Sequence, residues 1–161
     1  MDKPDIVYVT FIASTPEAVW RALTTPEFTM QYWAGRRIES DWAPGSPVRH
    51  VRPDGGADWE GEVIVADPPR LLSYTFHMNI REAHESDAPS RVTFEVEPIG
   101  EMVRLRLTHE HARADSPTRE RTMHGWPAIL SSLKSLLETG KPLPFTGLGF
   151  GPADAGREGQ R

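Results

Sequence analysis

The amino-acid sequence predicts an α+β fold: a curved antiparallel β-sheet wrapped around a long C-terminal helix, with two short helices after the first strand. Three observations carry that prediction. A β-branched and aromatic run from Ile6 to Ile12 leads straight into two short helical segments, opened by Thr15-Pro16 and Thr25-Pro26. From Gly35 to His109 only strand-like segments and turn residues follow. One longer amphipathic segment, from Ser116 to Gly140, then ends the patterned part of the chain. A sheet with a single long helix to cover its apolar face curves around that helix, and the usual product is an internal cavity.

Each element has a local cause. Ile6 to Ile12 (IVYVTFI) has no helical period and consists of residues that fit a pleated surface. Thr15 offers a side-chain oxygen to cap the first helix, Pro16 loses no hydrogen bond at its first position, and Glu17 sits at the positive end of the dipole. Val19, Trp20 and Leu23 form the apolar side of that helix. Thr25-Pro26-Glu27 repeats the device, and Phe28, Tyr32 and Trp33 follow as buried contacts. Short strands are predicted over Arg37 to Trp42 and Pro47 to Arg52, joined through the turn residues Ala43-Pro44-Gly45-Ser46. Pro53-Asp54-Gly55-Gly56 is a stronger turn signal.

From Trp59 to Ala66, the residues Trp59, Gly61, Val63 and Val65 alternate with Glu60, Glu62 and Ile64, the mark of a half-buried strand. Asp67-Pro68-Pro69-Arg70 stops it. Leu72, Tyr74, Phe76 and Met78 give the inner face of the next strand. Asn79 to Ser90 is polar and reads as a long loop. Arg91 to Glu97 and Met102 to His109 form a last hairpin, with Val92, Phe94, Val96, Val103, Leu105, Leu107 and His109 facing inward. In the final helix Trp126, Ile129, Leu130, Leu133, Leu136 and Leu137 recur at helical spacing, and Gly140 and Pro142 end it. One domain is therefore expected over residues 1–140, followed by a Gly/Pro-rich, disordered tail over 141–161.

Composition narrows the function. Hydrophobic residues make up 38% and charged residues 25%, as in globular proteins. A chain of 161 residues buries roughly 68–70% of its unfolded surface. No apolar run approaches the ~18 residues of a membrane-spanning helix, so no membrane insertion is expected. The N-terminal MDKPDIVYVTF lacks the apolar core of a signal peptide, and a cytoplasmic location is the expectation. With no cysteine there is no disulfide framework, thiol nucleophile or thiolate metal site. The net charge of −5, without a Lys/Arg stripe, argues against a nucleic-acid partner. Only three of the 18 basic residues are lysine, which points to a GC-rich bacterial coding sequence.

Several phrases occur together in one order over about residues 6 to 139. They are Ile12-Ala13-Ser14-Thr15-Pro16-Glu17-Ala18-Val19-Trp20 with Ala22-Leu23-Thr24, and Thr25-Pro26-Glu27 leading to Tyr32-Trp33. Further on come Gly61-Glu62-Val63, Asp67-Pro68-Pro69-Arg70-Leu71, Val92-Thr93-Phe94-Glu95, Leu107-Thr108-His109-Glu110 and Gly125-Trp126. In these the chain resembles the heat-shock-protein-90 ATPase activator homologue family of the START/polyketide-cyclase (SRPBCC) superfamily. The resemblance implies a helix-grip fold. It also implies a scaffold shared by lipid or aromatic-ligand binding, ring cyclisation and chaperone activation, so the fold does not by itself set the task. Eukaryotic activators carry an additional N-terminal domain that is not in this sequence, which weighs against a chaperone role.

The residues with chemistry are aromatic and imidazole groups. Of five tryptophans, Trp20 and Trp126 fall on the apolar faces of helices and read as core. Trp33, Trp42 and Trp59 read as cavity lining or as core. His50 alternates with Val48 and Arg52: either all face inward, with an anion for Arg52, or the register is reversed and both polar groups are solvated. His109 and His111 share a strand face, with His124 in the helix that follows, but the spacing is not that of a helical zinc motif and no metal is expected. Glu60 and Glu62 belong to a solvated face.

The expected function is binding, without catalysis, of a small hydrophobic or aromatic molecule in the internal cavity. The predicted lining is Trp33, His50, Trp59, Tyr74, Phe76, Phe94, His109 and Trp126. Its apolar members desolvate the ligand, while His50, Tyr74 and His109 orient a polar end. No cofactor is expected, and the sequence assigns neither catalytic residues nor an oligomeric state. Two alternatives stay open. One is a cyclase or hydrolase with His109 or His50 as general base and Tyr74 as hydrogen-bond donor. The other is a chaperone-partner module acting through an exposed patch.

Overall fold

The computed structural model describes residues 5–78, 89–111 and 117–144. Its elements are β1 (Ile6–Ile12), α1 (Pro16–Thr24), α2 (Pro26–Tyr32), β2 (Arg37–Glu39), β3 (Pro47–Val51), β4 (Ala57–Asp67), β5 (Leu71–Met78), β6 (Ser90–Ile99), β7 (Met102–Glu110) and α3 (Pro117–Thr139). Among the described residues the strands form one curled antiparallel sheet in the order β1-β7-β6-β5-β4-β3-β2. From β2 to β7 the chain is a meander, and β1 closes it on the far side of β7. The two edge strands are therefore β1 and β2, and the α1–α2 pair carries the chain from one edge to the other. The last helix, α3, packs on β1, α1 and α2.

Alternation decides which face of the sheet is concave. In β6, Ser90, Val92, Phe94 and Val96 are buried while Arg91, Glu95 and Glu97 are exposed. In β7, Val103, Leu105, Leu107 and His109 are buried. The register sets Val92 opposite His109, Phe94 opposite Leu107 and Val96 opposite Leu105, so apolar partners meet on the inner face. On the outer face Glu95 meets Arg106 and Glu97 meets Arg104. Solvated pairs of this kind are each worth ~0–1 kcal/mol, so the inner face holds the sheet together.

The helices are fastened by specific polar contacts. Thr15 Oγ1 accepts the Ala18 N–H at 3.2 Å, as its position before Pro16 predicts. Thr25 differs from that expectation. It is at once the last residue beside α1 and the first beside α2, its carbonyl accepts the Phe28 and Thr29 N–H groups, and its hydroxyl caps nothing. The Tyr32 hydroxyl donates to the Ala22 carbonyl at 2.6 Å, binding α2 to α1, and Thr29 Oγ1 accepts the Ile38 N–H at 2.9 Å, binding α2 to β2. Trp126, Leu130, Leu133 and Leu136 bury the inner side of α3. Lys134 Nζ donates to the Phe11 carbonyl at 2.6 Å, and the Glu138 carboxylate accepts the Ala13 N–H at 2.8 Å. That N–H, with Lys134 beside it, holds the Glu138 pKa below its ordinary value.

Several boundaries differ from those read in the sequence. The strand predicted over Arg37 to Trp42 stops at Glu39, because Ser40 Oγ accepts the Trp42 N–H at 3.0 Å and turns the chain. Trp42 then takes φ 56°, a left-handed conformation uncommon for a bulky residue, and its indole donates to the Thr24 carbonyl at 2.9 Å. The next strand ends at Val51, and Ser90, assigned to a loop, opens β6. Trp20, read as core, is half-buried against it. Residues 79–88 of the predicted Asn79 loop, the start at Ser116, the Met78 side chain and the tail from residue 145 lie outside the described residues.

Candidate ligand-binding interior

The eight side chains read as a lining arrive from seven elements. Trp33 caps the C-terminus of α2, His50 comes from β3, and Trp59 stands directly opposite it on β4. Tyr74 and Phe76 are alternate inward positions of β5, Phe94 and His109 lie on β6 and β7, and Trp126 descends from α3. All eight rings join in one network. Trp59 stacks on Phe76 with centroids 4.1 Å apart, and His50 and His109 meet Phe76 edge-on at 5.0 and 5.2 Å. Trp126 is 6.1 Å from Phe76, 6.0 Å from Phe94 and 5.3 Å from Trp33, which in turn meets His50 at 5.0 Å. Tyr74 lies 6.4 Å from Phe94 and 6.1 Å from His50, and Trp42 adds its ring at 6.0 Å from Tyr74. Edge-to-face and offset pairs each add about 0.5–1.5 kcal/mol beyond their burial. Trp59 and Trp42 are half-buried; the other seven rings are buried.

Two histidines inside this network have opposite hydrogen-bond states. His109 is fully engaged. The Trp126 indole N–H, which only donates, reaches His109 Nδ1 at 3.0 Å, so that nitrogen is the acceptor and Nε2 carries the proton. Nε2–H then donates to Ser90 Oγ at 2.6 Å, and the Ser90 hydroxyl donates to the Phe76 carbonyl at 2.9 Å. This chain runs from α3 through β7 and β6 to β5. Burial, with His111 4.0 Å away ring to ring, pushes the His109 pKa down to about 2.

Sequence reasoning missed Ser90. Its signal was present, because Ser90 has the parity of Val92 and Phe94, but the alternation was begun one residue too late. Ser90→Ala removes only the hydroxyl from this relay. It is expected to lower stability by about 1–3 kcal/mol in equilibrium urea unfolding, since it leaves the buried His109 Nε2–H without an acceptor. A loss below about 0.5 kcal/mol, the range of a neutral surface change, would show that the relay contributes nothing.

His50 is 1% exposed, and its Nε2 lies 3.4 Å from the Tyr74 hydroxyl. Its Nδ1 is buried and has no hydrogen-bond partner among the described residues. Burial first, and the Arg36 guanidinium second, push the His50 pKa down to about 3, so the ring is neutral at physiological pH. Burial raises the Tyr74 pKa, and the phenol keeps its proton.

Neither sequence reading of the His50 strand survives intact. A register shift between His50 and Val51 leaves His50 inward with Val48 but turns Arg52 outward, where it pairs with Asp54 at 3.2 Å. Glu60 and Glu62 are on the exposed face as predicted, with Glu60 3.6 Å from Arg49. Among the described residues no three His, Asp or Glu side chains converge as a metal site. His124 is exposed on α3, and both His109 nitrogens already have partners.

A curled antiparallel sheet of seven strands, closed by a C-terminal helix, defines the helix-grip class of the SRPBCC superfamily. Within it, the family model described as Activator of Hsp90 ATPase homolog 1-like protein matches residues 13–138, and the chain belongs to that family. Among solved structures, protein MLL2253 from Mesorhizobium loti superposes with a TM-score of 0.71 at 28% identity, over 83% of this chain and 96% of that one. The Aha1 dimer from Colwellia psychrerythraea gives 0.69 at 24% identity, over 85% and 98%. An HSP90 activator from Plasmodium falciparum gives 0.69 at 21%, over 83% and 95%. At these last two identities the likeness is one of fold. No curated protein sequence is significantly similar to the chain. Among the described residues no helix is long and apolar enough to cross a membrane.

Proposed function

We propose that this protein binds a small hydrophobic or aromatic molecule between its sheet and α3, without catalysis, using the domain formed by residues 1–140. The observation that carries the reading is His50, a neutral buried imidazole among Trp33, Tyr74 and Phe76 whose Nδ1 has no partner. A buried polar atom left open costs about 1–3 kcal/mol, and the polar end of a ligand removes that cost. Phe76, Phe94, Trp33 and Trp126 supply the apolar wall. Trp59, half-buried on Phe76, is the ring a flat ligand reaches first from solvent. We assign the polar contact to His50 and Tyr74. His109 is given a positioning part, because both its nitrogens hold α3 to the sheet.

An acid–base enzyme is less well supported. A general base needs an open lone pair and a pKa near the operating pH. His109 has neither, and His50 is held at about 3. Native mass spectrometry of the purified protein, with tryptophan quenching by a panel of aromatic compounds, tests the reading. The expected result is a non-covalent adduct or saturable quenching that Phe76→Ala weakens at least tenfold. A bare protein that no compound quenches would overturn it.

A second reading, activation of a chaperone ATPase, is favoured by the family description and by a row of exposed apolar residues on β1, Val7, Val9 and Phe11. In that case Val9→Ser with Phe11→Ser lowers the stimulation of a bacterial Hsp90 ATPase and leaves ligand quenching unchanged. Stimulation that survives both changes removes this surface from the reading. Both readings are for a cytoplasmic protein.

A further inference from the structure

We infer that the ligand is an uncharged carbonyl compound whose oxygen is held by the Nδ1–H of His50; this rests on the binding reading above. The argument is a count of donors and acceptors. The only described partner of the Tyr74 hydroxyl is His50 Nε2, at 3.4 Å. If Nε2 carried the ring proton, two groups would be stranded: the lone pair on Nδ1 and the hydroxyl proton of Tyr74. If the Tyr74 hydroxyl donates to Nε2, the proton is on Nδ1 and a single group is left open, a donor. The second state strands less, so at His50 the interior presents one open N–H, on Nδ1.

That lone donor selects its partner. A trapped water needs two to four polar neighbours, acceptors for its own protons included, and the Trp33 and Phe76 rings packed on His50 offer no acceptor. An alcohol would accept from Nδ1–H but strand its own hydroxyl proton. A carboxylate would bring a full charge against this apolar wall, and the cation that acts on His50, Arg36, is half-buried and already donates to the Ala34 carbonyl at 2.8 Å. A ketone or quinone oxygen on a flat apolar body needs one donor and brings no unmatched group.

The test uses isosteric pairs of three sizes: acetophenone with ethylbenzene, 9-fluorenone with fluorene, and benzanthrone with its methylene counterpart. Affinity is read by tryptophan quenching. In the pair that fits, the ketone is expected to bind at least tenfold tighter than the hydrocarbon, with 1-phenylethanol or 9-hydroxyfluorene between them. His50→Phe should abolish the preference, the ketone then binding no tighter than its hydrocarbon. Should that variant not fold, Tyr74→Phe serves, since Nε2 then competes for the ring proton and the ketone preference falls.

Equal binding within a pair keeps the binding reading and overturns this inference. A panel in which no member binds overturns both. Independently of any ligand, long-range nitrogen–proton NMR of the His50 ring should find the proton on Nδ1. A proton on Nε2 would overturn the assignment.

Discussion

Acidification is expected to destabilise this protein from about pH 6.5 downward, before carboxylates begin to titrate. In the unfolded chain both His50 and His109 take up a proton near pH 6.5. In the folded protein burial lowers them to about 3 and about 2, helped at His50 by Arg36 and at His109 by His111. The folded state thus refuses protons that the unfolded state accepts. Stability is complete above the unfolded value and falls as pH drops, until the folded values are reached. Each histidine contributes a slope of ~1.4 kcal/mol per pH unit, so the two remove about 5 kcal/mol by pH 4.5. Against a total of roughly 5–15 kcal/mol this is enough to unfold a domain of ordinary stability. Glu138, with its lowered pKa, adds to the loss only at lower pH still. Urea midpoints measured between pH 7.5 and 4.5 should fall steadily, and His50→Phe should remove about half of the slope. Midpoints that hold constant over this range would mean that neither ring is buried and neutral.

What could be read from the sequence, and what could not, follows from the length scale of each feature. Inner faces were legible in β6 and β7 because burial on one side and ion pairs on the other enforce period two over nine or ten residues. Six of the eight rings converge because they occupy inward positions of strands and follow from alternation, whereas Trp126 follows from the helical period of α3 and Trp33 sits at the end of α2. The faults that bear on the site are single-residue events. One extra residue in β4 opposite the step from His50 to Val51 shifts the register where Arg52 turns to solvent, one residue of extra strand makes Ser90 the acceptor of His109, and one left-handed residue turns Trp42 out of β2. Periodicity cannot register an event of length one. The different states of His50 and His109 lay further out of reach, since both read as inward histidines beside aromatic rings. What separates them is a few ångströms: an indole N–H from α3 reaches one and not the other.

Gly61→Ala is expected to cost about 3 kcal/mol or more. Overpacking usually costs 1–3 kcal/mol because flexible side chains move aside. Here the obstacle is main chain. A Cβ at Gly61 would lie 1.7 Å from the carbonyl oxygen of Thr75 and 2.6 Å from its carbon, and no rotamer change relieves that overlap. The close approach belongs to a bend in β4. The pairing Trp59–Met78 and Glu60–His77 resumes only at Val63–Tyr74, and the register shifts between Val63 and Val65. Between them Thr75 Oγ1 accepts the Glu62 N–H at 2.8 Å, a side chain standing in for a ladder bond. This bend brings Trp59 onto Phe76 and sets Tyr74 beside His50, so the glycine shapes the interior without lining it. Two readouts separate its roles: the urea midpoint falls with the lost stability, and in whatever fraction still folds, quenching by an aromatic ketone weakens as Trp59 shifts on Phe76. A Gly61→Ala protein as stable as the parent would mean that β4 and β5 do not approach each other this closely at Thr75.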